Sequence, residues 1–182
     1  MATRIQELYD QGYLDTVDGT YHALPNFDES WAQIDWYQWW RTGYSPSNFV
    51  IRVDASWQSA SDKANWWYSG CGFVFREDHG ESYYYAFLSL DGYVSMMRLV
   101  DGNYANLGRS YYGPVDVPEG SAELVLVANG DWLLFFVNQE LVHRRQDSRL
   151  TSGDLAMTLS SGTNEGFGTR CQMENVDLWV LP

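Results

Sequence analysis

The sequence predicts an all-β chain, an antiparallel two-sheet sandwich carrying a short N-terminal helix and an aromatic extension. Three observations point there. From residue 48 onward, β-rich runs of strand length recur with turn residues about every eight to twelve positions. Two Asp-Gly pairs, Asp91-Gly92 and Asp101-Gly102, separate successive runs, the short-range signature of hairpins. No helical period of useful length follows Trp57.

The elements follow in order. Residues 3–9 place Ile5, Leu8 and Tyr9 at helical spacing, and Gly12, Asp18-Gly19 and Pro25 then mark a turn-rich stretch. Residues 31–40 (WAQIDWYQWW) are aromatic on every face, ambiguous between strand and helix, and are expected to lie across the sandwich as a cover. Residues 48–57 alternate Phe49, Ile51 and Val53 against Val50, Arg52 and Asp54, as a strand does. Residues 69–76 (SGCGFVFR), 82–90 and 93–100 continue the pattern, and the two Asp-Gly turns join a three-strand meander. Gly113, Pro114 and Pro118 open a longer loop before residues 122–128 and 132–137, which turn at Asn129-Gly130-Asp131. Strand-like residues 154–159 and 171–181 close the chain around glycine-rich 160–168. Two units are expected: an N-terminal extension over 1–47 packing on a sandwich over 48–182.

Composition narrows the function. A chain of 182 residues buries enough surface to fold without a metal. Aromatic residues make up 16%, with 13 Tyr and 9 Trp against 8 Phe, and the clusters at 36–40 and 66–68 exceed what a core this size hides. Tyr and Trp suit a wet surface because each joins an apolar face to a hydrogen-bonding tip. The formal charge of −13, with Lys63 the single lysine, repels nucleic acid and anionic membranes. No run of eighteen apolar residues is present to span a membrane, and residues 1–13 lack the apolar centre of a signal peptide.

Cys71 and Cys171 lie a hundred positions apart in strand-like segments, with no C-x-x-C pair and three scattered histidines, so no metal site is expected. We expect a Cys71–Cys171 disulfide, with a contribution of about 4–5 kcal/mol in the chain-entropy model; two buried thiols are the alternative. A disulfide implies an oxidising compartment, hence an extracellular or cell-surface location.

The series SGCGFVFR, the Tyr-rich strand after it, LDGYVSMMRLVDG, AELVLVANGDWLLFFVNQELV and MENVDLWVL resembles concanavalin-like lectin/glucanase domains, a superfamily that includes laminin-G-like modules and 3-keto-disaccharide hydrolases. The resemblance covers residues 48–182 and implies a jelly-roll sandwich. Its motifs are hairpin and core residues, so they speak to fold more than to activity.

Retaining glucanases of that superfamily carry E-x-D-x-E or E-x-D-x-x-E on one strand, because two carboxyl groups must stand about 5–5.5 Å apart. No segment here has the pattern. Glu77, Asp78, His79 and Glu81 surround Gly80 and read as a solvated turn. Glu174 and Asp177 have opposite strand parity and do not converge. No G-x-S-x-G elbow is present. We therefore expect no catalytic residues.

A sugar site needs a flat ring for the CH face and polar groups for the hydroxyls. Candidate ligand-binding residues are Trp66, Trp67, Arg76, Tyr84, Arg98, Tyr111 and Tyr112. Tyr83 and Tyr85 share the strand face opposite Tyr84. Asp62, Asp91, Asp101 and Asn103 offer loop oxygens to calcium but form no coordination motif, and no cofactor is expected. The leading expectation is a non-catalytic binding module for a glycan or protein ligand, glycan favoured. The alternative is a structural protein that forms a homo-oligomer through Trp36, Tyr37, Trp39 and Trp40, and a third is a glycoside hydrolase with an atypical carboxylate pair.

Overall fold

The computed structural model describes residues 1–79 and 81–182. One helix, α1 (Ala2–Asp10), precedes thirteen strands among them. These are β1 (Thr20–Ala23), β2 (Phe27–Trp31), β3 (Trp36–Arg41), β4 (Phe49–Ser59), β5 (Gly70–Asp78), β6 (Ser82–Ser89) and β7 (Tyr93–Val100). There follow β8 (Asn103–Tyr111), β9 (Glu119–Asn129), β10 (Trp132–Val137), β11 (Glu140–Gln146), β12 (Asp154–Ser161) and β13 (Thr169–Val180).

The strands form two antiparallel sheets. The seven-stranded sheet runs β1-β13-β4-β9-β10-β11, with β2 pairing the other end of the β13 edge. The six-stranded sheet runs β3-β12-β5-β6-β7-β8. The expected jelly-roll sandwich is the observed fold, and both Asp-Gly pairs sit at the turns between β6 and β7 and between β7 and β8. Residues 1–47 are woven into both layers. β1 and β2 bond to β13, and β3 bonds to β12 as an edge strand. The aromatic segment expected to cover the sandwich is thus partly a strand within it. An edge strand packs side chains on both faces, which explains its lack of alternation: Trp40 meets Phe27 at 5.2 Å between the sheets while Trp39 meets Tyr83 at 5.3 Å outside.

The main core lies between the sheets, where alternate residues of each strand interdigitate. Phe49, Ile51 and Val53 from β4 meet Phe73 and Phe75 from β5 there. Cys71 of β5 and Cys171 of β13 form the expected disulfide through this core, Cα atoms 6.0 Å apart, and so tie the two sheets together. A second cluster lies outside the seven-stranded sheet, where Ile5 and Leu8 of α1 cover Val50, Val127, Leu134 and Phe136. A third, outside the six-stranded sheet, joins Val74, Tyr83, Tyr85 and Ala156. α1 is not long and apolar enough to cross a membrane.

Candidate functional site

The outer face of the six-stranded sheet carries a groove of about 210 Å³. Strand register assembles it. Tyr37 opposes Ser160, which opposes Gly70; Phe87 opposes Ser95, which opposes Arg109; Tyr85 opposes Met97, which opposes Asn106. The middle strands β12 and β5 offer small side chains, Ser160, Thr158, Gly70 and Gly72, so the taller aromatics of β3 and β6 rise on either side. Tyr37 leans across that floor to Tyr85 at 4.4 Å, and Tyr85 meets Phe87 at 4.8 Å. Trp36, Trp67 and Tyr104 stand at the margins, with 56%, 51% and 64% of their surfaces exposed.

Electrostatically the groove is quiet. Among the described lining residues, Asp35 and Arg109 alone carry charge. The phenols are held neutral. Burial, followed by a mutual hydrogen bond, raises Tyr37 far above the ordinary phenol value, and burial raises its partner Tyr83. Burial likewise raises Tyr85. These rings therefore present apolar faces and neutral hydroxyls at any physiological pH. At one rim the Arg109 guanidinium lies 3.7 Å from the Trp67 ring centre and 3.6 Å from that of Tyr93, and the Tyr111 ring packs at a tilt against Tyr93, centres 4.8 Å apart. Arg109 is ion-paired to Asp91. At the strand opposite Met96, Gly108 adopts φ +123 and its Cα faces the His143 ring, where any side chain would collide.

The candidate residues of the sequence fall in three places. Trp67 and Tyr111 reach the rim. Trp36 and Tyr37, expected as an assembly interface, line the same groove, whereas Trp39 packs on Tyr83 and Trp40 turns into the core. Trp66 is half-buried against the core, and so is Tyr112, whose hydroxyl accepts from Asn138 Nδ2 at 3.0 Å.

Arg76, Tyr84 and Arg98 do come together, but at the inner end of the sandwich and away from the groove. Strand alternation from Cys71, Phe73 and Phe75 puts Arg76 outside. A bulge between Phe75 and Asp78, with Arg76 at φ +50, turns it inward instead. There Arg76 is 1% exposed and donates to the carbonyls of Ser47, Gly130 and Leu150. The fully buried Tyr84 donates to Asp147 Oδ1 at 2.5 Å, and Arg98 pairs with Asp147. Burial and that bond push the Tyr84 phenol up to about 12. Burial raises the Asp147 carboxyl too, but hydrogen bonds from Tyr84, the Arg149 N–H and Arg98 outweigh it and hold the group below the usual range. This trio locks the loop after β11.

Glu77 stands apart from its exposed neighbours. It is not part of a solvated turn: its side chain is fully buried and takes Arg41 Nε at 2.7 Å and Nη2 at 2.5 Å. Asp78, His79 and Glu81 are exposed as expected, and Gly80 lies outside the described residues. Among the described residues no group of three or more His, Cys, Asp or Glu side chains is arranged to hold a metal. Asp91 is instead engaged by Arg109 and by the Ser89 hydroxyl at 2.6 Å.

Sequence reasoning missed Tyr85, Phe87, Met97, Tyr104, Asn106 and Arg109. Parity groups Tyr83, Tyr85 and Phe87 on one face of β6. With Ala86 and Leu88 as the core face, the odd-numbered residues follow as the set on the outer face of the sheet.

No protein-family model matches the sequence, and no curated protein matches it. Solved structures do match in shape. The carbohydrate-binding module CBM66 from Bacillus subtilis superposes with a TM-score of 0.62 at 16% identity, over 88% of this chain and 91% of that one. A Bacillus subtilis protein of unknown function with a galectin-like fold gives 0.64 at 9% identity, over 89% of both. A fructosyltransferase from A. japonicus gives 0.60 at 14% identity, over 90% of this chain but 26% of that larger one. The fold is a galectin-like, concanavalin-like jelly roll. At these identities the likeness establishes fold alone, and the matches span binding modules and enzymes.

Proposed function

We propose that this chain is a non-catalytic carbohydrate-binding module of a secreted or surface protein, with its glycan site in the groove outside the six-stranded sheet. The observation that carries the reading is the lining: exposed Trp36, Trp67 and Tyr104 beside neutral donors and acceptors on Ser95, Asn106 and Tyr37. That is the chemistry a sugar ring needs, an apolar CH face against an aromatic and hydroxyls against amides and hydroxyls. The same lining argues against glycosidic hydrolysis. Among its described residues only Asp35 carries a carboxyl, and both hydrolytic mechanisms need two flanking the bond. The shape match to CBM66 supports the binding reading, and the disulfide supports an oxidising compartment.

A glycan-array screen of the whole chain, beside Trp36→Ala and Trp67→Ala, tests this. Binding by the native chain is expected on some arrayed glycan, with a loss of about fivefold or more in each folded variant, taking the stack of a sugar ring on an aromatic to be comparable to that of a nucleobase, on the order of 1–3 kcal/mol. A blank array from folded protein overturns the proposal. Self-association that Trp36→Ala abolishes would then favour the assembly alternative.

A further inference from the structure

The guanidinium of Arg109 is sandwiched between Trp67 and Tyr93, with ring centres 3.7 and 3.6 Å from its carbon, while its Nη2 is ion-paired to Asp91. Both faces of the cation are thereby shielded from water, where cation–π attraction is strongest. The side chain of Arg109 is only 19% exposed and that of Asp91 26%, yet Trp67, which receives the guanidinium on one face, is 51% exposed. Asp91 is itself fixed by the Ser89 hydroxyl and by its place in the β6–β7 turn. The result is a rigid rim: Asp91 holds Arg109, and Arg109 holds an indole whose remaining surface is open.

We propose that Arg109 is a positioning residue that fixes Trp67 as the sugar-stacking platform of the groove, and that the Asp91–Arg109 pair makes this site selective for uncharged over acidic sugars. The inference rests on the glycan-site reading above. Three features give the selectivity its direction. The only cation among the described lining residues is already neutralised by a carboxylate. The other charged lining residue, Asp35, is an acid. The whole chain carries a net −13, so its field opposes a uronate approaching the groove. A carboxylate at this rim would lose water beside Asp91 and gain no uncompensated cation in return. A neutral ring stacked on Trp67 meets no such penalty.

The experiment uses matched polysaccharides: β-glucan and α-glucan polymers, galactans and fructans, each beside its partly oxidised counterpart carrying carboxylates. Binding to the native chain, Arg109→Met, Arg109→Lys and Asp91→Asn is measured by affinity electrophoresis or calorimetry, with folding checked by circular dichroism. The native chain is expected to prefer the neutral member of whichever pair it binds. Arg109→Met is expected to weaken that binding about tenfold, and Arg109→Lys to restore it only in part because an ammonium lacks the planar stack. Asp91→Asn leaves the stack in place but uncovers a positive charge, so the ratio of acidic to neutral binding is expected to rise about tenfold, and the rise to fade with added salt. A merely structural role for Asp91 would weaken both ligands equally and leave the ratio unchanged, which overturns the charge-selection part. Equal or tighter binding of the acidic polymer by the native chain overturns the inference while leaving a glycan site in place. No binding to either member of every pair overturns the glycan reading itself.

Discussion

The two sheets turn very different outer faces to their surroundings. Outside the seven-stranded sheet, α1 lays Ile5 and Leu8 over Val50, Val127 and Phe136, and all five are buried. Further along that face Arg52 draws together Asp54, Glu123 and Asp177, a salt-bridged polar surface. Outside the six-stranded sheet no helix lies over the aromatics of β3, β6 and β8, among the described residues. Apolar surface on the first face is sealed by the chain's own N-terminus, whereas on the second it is left standing in a groove. Exposed, rimmed apolar surface of that kind is what binding sites retain, since folding alone would favour covering it. The contrast predicts that equal deletions of apolar side chain will act on stability at one face and on recognition at the other.

The largest effect is expected at the sealed face. Leu8 is fully buried beneath α1, and Leu8→Ala should destabilise the fold by about 2–5 kcal/mol through lost transfer and a cavity. Urea unfolding with an unchanged denaturant slope would report it, and glycan binding by the surviving folded protein should be unaltered. Loss of binding at full folding would show that the two faces are coupled and the division is wrong.

A smaller effect belongs between the faces, at Asp147. Tyr84 and Arg98 hold its folded pKa below the unfolded value of 3.8, so the stability it contributes is complete above 3.8 and is lost as pH falls through the lower folded value. Asp147→Asn should cost about 2 kcal/mol at neutral pH and flatten the acid limb of a melting-temperature series below pH 4. An unchanged acid limb would mean that the carboxylate contributes nothing to folding. Because this network faces inward, neutral-pH binding should again be untouched.

How far the sequence reveals this division depends on what each residue's neighbours dictate. The Asp-Gly turns are legible because each encodes its own backbone geometry within two residues. The Cys71–Cys171 bridge is legible because both cysteines sit on strands that alternation assigns to the core. Arg76 is not, because a single left-handed residue inside a bulge reverses its face without a glycine to announce it. Tyr84 and Tyr85 are half-legible: alternation separates them but does not say which faces the other sheet. The groove spans strands distant in sequence, and Tyr37 meets Tyr85 only after β12 and β5 have been inserted between β3 and β6. Pairing order of that kind is a tertiary property that local pattern does not carry. Trp36 and Tyr37 were accordingly recognisable as surface-seeking aromatics, while their meeting with Trp67 was not.

The smallest stability effect should come from Tyr104, and it is the sharpest comparison with Leu8. Tyr104 is 64% exposed on β8 at the groove margin, opposite Leu99 in the ladder. Its ring rests on the open face, so Tyr104→Ala removes more atoms than Leu8→Ala yet uncovers little that was dry. A change in unfolding free energy within about 0.5 kcal/mol is expected, the range for surface positions away from caps and buried networks. If the uncovered ring is held there for recognition, the same variant should weaken glycan binding by several-fold, in calorimetry on protein whose melting curve overlays the parent. A stability loss approaching that of Leu8→Ala would mean that the aromatic face is a second core rather than a site. Unaltered binding with unaltered stability would narrow the site to the Trp36, Tyr37 and Trp67 side of the groove.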